Sequence, residues 1–389
     1  MHTEHIACRA CGNLSLFPVA DFGMQPLAND FRKPGESSGM LYPLNVLFCK
    51  ECTLGQLSVV VSPDILYSKY SYVTSPSQTM VSHFTLLSHY CNQFRCSENM
   101  GSVLEIGSNN GSFLRYLLDW KFAEFVQGVE PAENVACEAV LSGIDTRIMF
   151  WNEATATIIG RKFDSIFARH VFAHVDDWSE FVRALELVSH SKTTVFIEVP
   201  STRETIDRGE FDQVYHEHLS YVTTRSIESL LRGTMFYLHA NKRFSIHGGS
   251  MVYVLKHREN PMESPEFEPE EAVTSEDWKR LRELAQQRST TLRCRTDFLL
   301  KQHKRVFGFG APAKAAIWAN LCGFTSRQIE FIHDDTPQKQ GCLLPGTDIP
   351  VMNGTERICE MDACVIFAWN FEEEIREKLK WWNGEFIKF

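Results

Sequence analysis

The chain lacks any apolar run approaching the ~18 residues of a membrane-spanning helix. Its opening stretch, MHTEHIACRAC, has no basic segment followed by an apolar core. No membrane span and no secretory leader are expected, and a cytoplasmic location follows. Basic residues are outnumbered: 39 Lys and Arg against 49 Asp and Glu give a formal net charge of -10. That excludes the basic face of a general nucleic-acid binder, though not a local basic pocket for a phosphorylated ligand. Low-complexity tracts and short-period repeats are missing, as are the GxGxxG loop of NAD-binding folds and the HExxH helix of zinc proteases.

What is present is ordinary for a globular protein, with 44% apolar and 23% charged residues over 389 positions. That length suggests two or three domains. Twelve cysteines, in a chain expected in the cytoplasm, should be thiols or metal ligands rather than disulfides.

From Gly101 short apolar runs alternate with amphipathic stretches. SVLEIG, FVQGVE, DSIFAR and TTVFIEV read as buried strands, with SMVYVL as the last. SFLRYLLDW places Phe113, Leu114, Leu117 and Leu118 on one helical face. Alternation of this kind indicates a parallel α/β sheet. The Pro- and Glu-rich HRENPMESPEFEPEEAVTS reads as a linker, and the stretch from Ser275 as one long amphipathic helix. RVFGFGAPAKAAIWANL then gives a strand, a Gly turn and a helix, followed by the strands IEFIHDD and ACVIFAW. The expected organisation is residues 1–60, a helical connection at 61–98, an α/β domain at 99–257, a linker and long helix at 258–298, and a second α/β domain at 299–389.

Cys8-x2-Cys11 and Cys49-x2-Cys52 are two knuckles separated by 37 residues, each able to direct two sulfurs at one point. Four thiolates satisfy tetrahedral Zn²⁺ and leave no open position, so the ion is expected to be structural. The spacing requires a small β-rich insert between the pairs. The other eight cysteines read as small buried apolar residues.

Glu105-Ile-Gly107-Ser-Asn109-Asn-Gly111 follows a strand and opens a helix, and the next strand ends in Glu130. Glycines allow backbone to approach a ligand, and an acid at the second strand end can accept both ribose hydroxyls of an adenosine. Asn109 stands where a dinucleotide loop has its second glycine. The loop resembles the acidic-x-Gly loop of S-adenosylmethionine-dependent methyltransferases; the alternative is a helix-start turn in a ligand-free fold.

In YHEHLSY, residues 215–221, two histidines, a glutamate and two tyrosines fill seven positions. A metal reading needs three ligands on one point, and His216-x-His218 lacks the required companions. An acid–base reading needs a base, an orienting partner and a donor for developing negative charge, which His218, Glu217 and Tyr215 can supply. A polar loop with one satisfied histidine is the plain alternative. Upstream, FARHVFAHVDD puts His170 and His174 on one face if the segment is helical, beyond the carboxyl end of a strand.

Taken together, the paired knuckles, VLEIGSNNGSFL, FDQVYHEHLSY, HGGSM, FGFGAPAKA, DDTPQKQGCLLPGTDIPV and AWNFEEEI resemble, in order, the bacterial C-methyltransferases that act on nucleotide-linked 4-keto deoxysugars. The resemblance covers nearly the whole chain. It implies a zinc-binding N-terminal domain, a central Rossmann-like methyltransferase domain using S-adenosylmethionine, and a C-terminal Rossmann-like domain. A nucleotide-diphosphate sugar would bind between the last two.

Residue by residue, the family's catalytic histidine falls on His218, its supporting tyrosine and glutamate on Tyr215 and Glu217, and a second active-site histidine on His174. An N-terminal active-site tyrosine falls on Tyr70 or Tyr72. The cofactor would lie against Glu105, Gly107, Asn109, Gly111 and Glu130. The Gly310, Ala313 and Lys314 turn suits a diphosphate, since backbone amides and an ammonium converge at a helix start; a purely structural turn is the alternative. The chain departs from the pattern at Arg169, where relatives have asparagine, and at Val252, where they have arginine. A monomer is expected. Two other classes stand beside this one: an N- or O-methyltransferase for another acceptor, and a zinc-stabilised sugar-nucleotide binding protein without catalysis.

Overall fold

The computed structural model describes residues 2–4, 6–37, 39–67, 77–95, 98–260 and 265–387. Tyr70 and Tyr72 lie outside the described residues, as does the side chain of His247.

The central sheet has eight strands. From edge to edge they are Glu266–Phe267, Phe236–Phe244, Ser250–His257, Ser189–Pro200, Phe163–Arg169, Ser102–Ile106, Phe125–Val129 and Thr146–Arg147. The last five run parallel. Their Val-, Ile- and Phe-rich runs are buried on both faces, as parallel strands require. The expectation of a parallel sheet holds for these five and for the edge pair Phe236–Phe244 with Glu266–Phe267, and fails at Ser250–His257. Ser250–His257 runs antiparallel to Ser189–Pro200 and pairs with Phe236–Phe244 in a hairpin-like extension. Ser102–Ile106 sits centrally, so the loops leaving it and its two neighbours open at the carboxyl edge of the sheet, the ligand side of such folds.

The cysteine pairs bracket the hairpin Leu16–Pro26 and Leu41–Cys49, the β-rich insert that their spacing demanded. Gly55–Leu57 adds the next strand, and the outermost strand is Ser220–Tyr221, the end of YHEHLSY. The pairing sets Ser220 opposite Gln56 and Tyr221 opposite Gly55. The heptapeptide is therefore covalently part of the central region and hydrogen-bonded into the N-terminal sheet.

The helix Ser275–Lys301 spans 27 residues and buries Trp278, Leu281, Ala285, Ser289, Leu292, Thr296 and Leu299 on one stripe. Thr274 and Asp277 close a reciprocal capping box at its start. Trp278 meets Tyr221 edge to face at 4.8 Å between ring centroids. It also lies so near Gly55 that a Cβ there would approach it to 2.6 Å, so a glycine is required. Five parallel strands form the C-terminal sheet in the order Val351–Met352, Ile332–His333, Val306–Phe309, Ala363–Ile366 and Glu385–Ile387. Among the described residues, no helix is long and apolar enough to cross a membrane.

Candidate active site

The four knuckle sulfurs lie within 4.8 Å of one another, with Cys8 to Cys52 at 3.3 Å and Cys11 to Cys49 at 3.6 Å. Sulfurs about 2.3 Å from a tetrahedral zinc stand ~3.8 Å apart, so the donor set fits that ion. The Cys8 thiol is pulled down to about 5 by the Cys52 sulfur, against burial, and by the main chain of Cys11 and Ala10. Among the described residues this is the only cluster of three or more metal-ligating groups, and the two histidines of YHEHL are not part of one.

In the first glycine loop Gly107, Asn109 and Gly111 all adopt positive φ, of 68°, 48° and 73°. Sequence suggested that the glycines leave room for a ligand. The structure gives them a packing reason: a Cβ on Gly107 would meet Val171 at 2.9 Å, and one on Gly111 would meet Ala139 at 3.1 Å. Glu130 accepts the Asn109 N–H at 2.9 Å and the Ala132 N–H at 2.9 Å, one on each oxygen. Each carboxylate oxygen keeps a second lone pair for a ribose hydroxyl. Glu105 is buried and its Oε2 has no hydrogen-bond partner, while Oε1 accepts from Arg169 Nη1 at 3.0 Å. Burial, opposed by Arg169, pushes the Glu105 carboxyl up to about 7. A buried carboxylate oxygen without a partner beside a glycine loop fits the ammonium of S-adenosylmethionine.

Arg169 also reaches Glu198 Oε2 at 3.4 Å and stacks its guanidinium 4.2 Å from the Phe113 ring centre. Glu198 further gathers His83 at 2.8 Å, His170 at 3.6 Å and the Ser250 hydroxyl at 2.8 Å. Burial raises the Glu198 carboxyl, but His170 and His83 more than reverse this and hold it well below the usual range. Sequence reading missed this network. Glu198 was visible as an acid closing the apolar run TTVFIEV, and His83 sits on the buried stripe of the helix Gln78–Cys91. Arg169 thus joins two buried acids, and Val252 is buried opposite Glu198 in the sheet.

The segment after Arg169 is not an α-helix. His170 takes φ 51° and Phe172–His174 form one 3-10 turn, so the two histidines do not share a face. His170 turns to Glu198, while His174 meets His218 with ring centroids 5.1 Å apart. His174 also contacts the main chain of His170 and Glu217, and burial lowers it to about 4.

His218 Nδ1 lies 2.8 Å from the carbonyl oxygen of Gln213, and Nε2 lies 2.8 Å from the Tyr215 hydroxyl. A carbonyl only accepts, so the proton sits on Nδ1 and Nε2 presents its lone pair to Tyr215. Burial first, then His174, holds the imidazole well below its usual pKa and therefore neutral. The expected orienting role of Glu217 is not what the contacts show. Its carboxyl takes an N–H from Asn29 at 2.7 Å, and burial raises it to about 7. The Gln213 carbonyl, which carries no sequence signal, orients the His218 ring instead. His216 packs edge-on to Tyr42, with Nε2 3.3 Å from the Pro43 carbonyl, and so serves the N-terminal sheet.

At the second glycine turn Gly310 has φ 83° against Ala368, and the helix Ala313–Cys322 begins without a side-chain cap. Lys314 Nζ lies 4.0 Å over the Trp369 ring and 3.2 Å from Asn370 Oδ1. One turn amide, Ala311, is already taken by Asp334 at 2.6 Å. Beside the turn a cavity of about 310 Å³ is lined by Arg208, Glu210, Asp212, Trp318, Trp369 and Arg376, among others. Asp212 accepts both indole N–H groups, from Trp318 at 2.9 Å and Trp369 at 2.6 Å.

Three family models match the chain in order: a zinc binding domain over residues 8–67, a methyltransferase domain over 84–240 and a C-methyltransferase C-terminal domain over 245–389. Nearly the whole chain is also 29% identical, over 387 residues, to the C-methyltransferase NovU of Streptomyces niveus, covering 96% of this chain and 92% of that protein. In that order the models and the relative give the domain plan of the C-methyltransferases, and the chain is an S-adenosylmethionine-dependent C-methyltransferase. Solved structures similar to part of this C-methyltransferase include the PH0226 protein of Pyrococcus horikoshii OT3, at 15% identity and a TM-score of 0.37 over 48% of this chain and 95% of that one. The DhpI–SAH complex matches at 16% identity and a TM-score of 0.33, covering 48% and 88%. The C-methyltransferase uses S-adenosylmethionine, and its N-terminal cysteines form the zinc site.

Proposed function

We propose that this C-methyltransferase acts at C3 of a nucleotide-linked 4-keto deoxysugar, in the cytoplasm, with His218 as the base. The observation that carries the reading is the pair His218 Nε2 and Tyr215 hydroxyl, 2.8 Å apart in a buried site. A ketone at C4 acidifies the C3 proton, and the two reacting positions, carbonyl oxygen and adjacent C–H, lie about as far apart as these two groups. On substrate arrival the Tyr215 hydroxyl turns from Nε2 to the ketone oxygen, and the freed Nε2 removes the proton. His218 holds that proton while Tyr215 steadies the enolate oxygen, two recognised sources of rate. Bound S-adenosylmethionine supplies the electrophilic methyl group. His174, with its pKa lowered to about 4 by burial, stays neutral at neutral pH beside the base.

The nucleotide part fits the cavity at the carboxyl end of the C-terminal sheet, with Trp369 and Trp318 as apolar walls. Lys314, together with the uncapped helix start at Ala313 and the turn at Gly310, faces the diphosphate. The deciding experiment follows deuterium wash-in at C3 of 4-keto nucleotide sugars in D2O, without S-adenosylmethionine. Wild type should exchange, and His218→Gln should exchange about 10²-fold more slowly or worse. Exchange at the wild-type rate in His218→Gln would remove the base assignment, and no exchange in wild type would favour an N- or O-linked acceptor.

A further inference from the structure

The first zinc knuckle contains a basic residue that reaches past the metal site. Arg9 lies between Cys8 and Cys11, and its side chain is wholly buried. Its Nη1 donates to the carbonyls of Leu57 at 3.3 Å and Leu219 at 3.2 Å. Its Nε and Nη2 both meet Asp176 Oδ1 at 3.0 Å. The Arg9 main-chain N–H donates to Gln56 Oε1 at 3.0 Å, and Gln56 returns a bond to the Ala7 carbonyl at 3.0 Å.

Two of these partners adjoin the paired histidines. Leu219 follows His218 directly, and its carbonyl also accepts the Leu57 N–H at 2.9 Å. Asp176 stands two residues beyond His174. A planar guanidinium with donors in fixed directions can hold two backbone segments in register, which a point charge on a flexible stem does less well. The ring separation of 5.1 Å between His174 and His218 has one buried side chain spanning the two segments that set it.

We propose that Arg9 is a positioning residue of the methyltransferase: it transmits the geometry of the zinc knuckle to His218 through Leu219 and to His174 through Asp176. The inference rests on His218 being the base. An error of ~1 Å in such a placement lowers turnover by about 10²-fold.

Arg9→Lys and Asp176→Asn test it, the second variant securing the answer if the first fails to fold. Each full-length protein is labelled with ¹⁵N-histidine and measured for zinc content, S-adenosylmethionine affinity and C3 exchange of a 4-keto nucleotide sugar. His218→Gln identifies the His218 signal and gives the exchange floor. The expected result is one zinc per chain and cofactor affinity within about twofold of wild type, a changed His218 signature in Arg9→Lys and a changed His174 signature in Asp176→Asn, and exchange at least ~10-fold slower. The double variant should be no slower than the worse single variant, since both break one contact. An unchanged His218 signature in Arg9→Lys, or an unchanged His174 signature in Asp176→Asn, would overturn the proposal, as would exchange within twofold of wild type in both variants. So would a loss that added zinc restores, because Arg9 would then serve the metal site alone. If His218→Gln itself exchanges normally, the base assignment fails instead, and the NMR signature still reports on Arg9.

Discussion

The Tyr215 hydroxyl donates to His218 Nε2 at 2.8 Å, on the lone pair that a base must free. With His218 as the proposed base, the resting contact and the working contact exclude each other, and substrate displaces this hydrogen bond to start the reaction. Tyr215→Phe removes the oxyanion donor but keeps the ring against His218. Its kcat should fall about 10²-fold, with S-adenosylmethionine affinity unchanged by calorimetry. Near-normal turnover would move the donor role elsewhere.

The acidic limb of kcat/KM should lie below the ordinary histidine range. His218 is held well below 6.5 by burial and by His174, and His174 itself lies near 4. A lowered pKa keeps the base neutral as pH falls, so the rate should stay flat from pH 7 through 6.5 and decline only further down. A limb centred at or above 6.5 would contradict this assignment of the base.

Glu217 makes a separate prediction about stability. Its carboxyl rises from 4.5 to about 7 on folding, because burial outweighs the Asn29 contact. The native state thus holds a proton that the unfolded chain releases between those values, and stability contributed by the neutral acid is lost as pH rises from 4.5 to 7. Glu217→Gln should abolish that decline and be the more stable protein above pH 7, by on the order of 3 kcal/mol. Denaturant melts at pH 5 and pH 8 measure it; equal slopes in both proteins would refute it.

Removal of zinc should cost more than local order. Cys49 ends one strand of the N-terminal sheet, and Cys52 lies three residues before the strand that pairs with Ser220–Tyr221. Cys49→Ser, or chelation, should lower the melting temperature and reduce C3 exchange together, with metal content read by atomic spectrometry. Full exchange in metal-free protein would separate the two.

Lys314→Ala should raise the KM for nucleotide sugar about tenfold and leave cofactor affinity alone, since Lys314 lies over Trp369 beside the C-terminal cavity. Unchanged substrate affinity by calorimetry would place the diphosphate elsewhere.

Much of this architecture was legible in sequence because its signals are local. Two CxxC pairs bring their own geometry, the strand runs alternate with helices, and the long helix has its buried stripe at regular spacing. What stayed hidden depends on contacts between distant segments. Glu217 looked like the partner of His218 because it adjoins it in sequence; instead its side chain turns to Asn29, and a main-chain carbonyl, Gln213, takes the orienting role. His170 and His174 looked like a helical pair, but the positive φ at His170 splits them between Glu198 and His218. Arg169, a departure from the family pattern, proved to be the link between Glu105 and Glu198.

The strand Ser220–Tyr221 has a consequence for the order of assembly. Its partner lies far back in the chain, and Arg9 and Leu219, which tie the same seam, are 210 residues apart. Closing so long a loop is slow and comes after local structure has formed. During synthesis the N-terminal sheet waits with an open edge until the segment carrying His218 and Ser220–Tyr221 emerges. On refolding, metal uptake should come first and closure of this seam last, so a central domain cut free of its first sixty residues would keep the Gln213 contact to His218 but lose the Arg9 and Leu57 bonds to the adjoining Leu219 carbonyl.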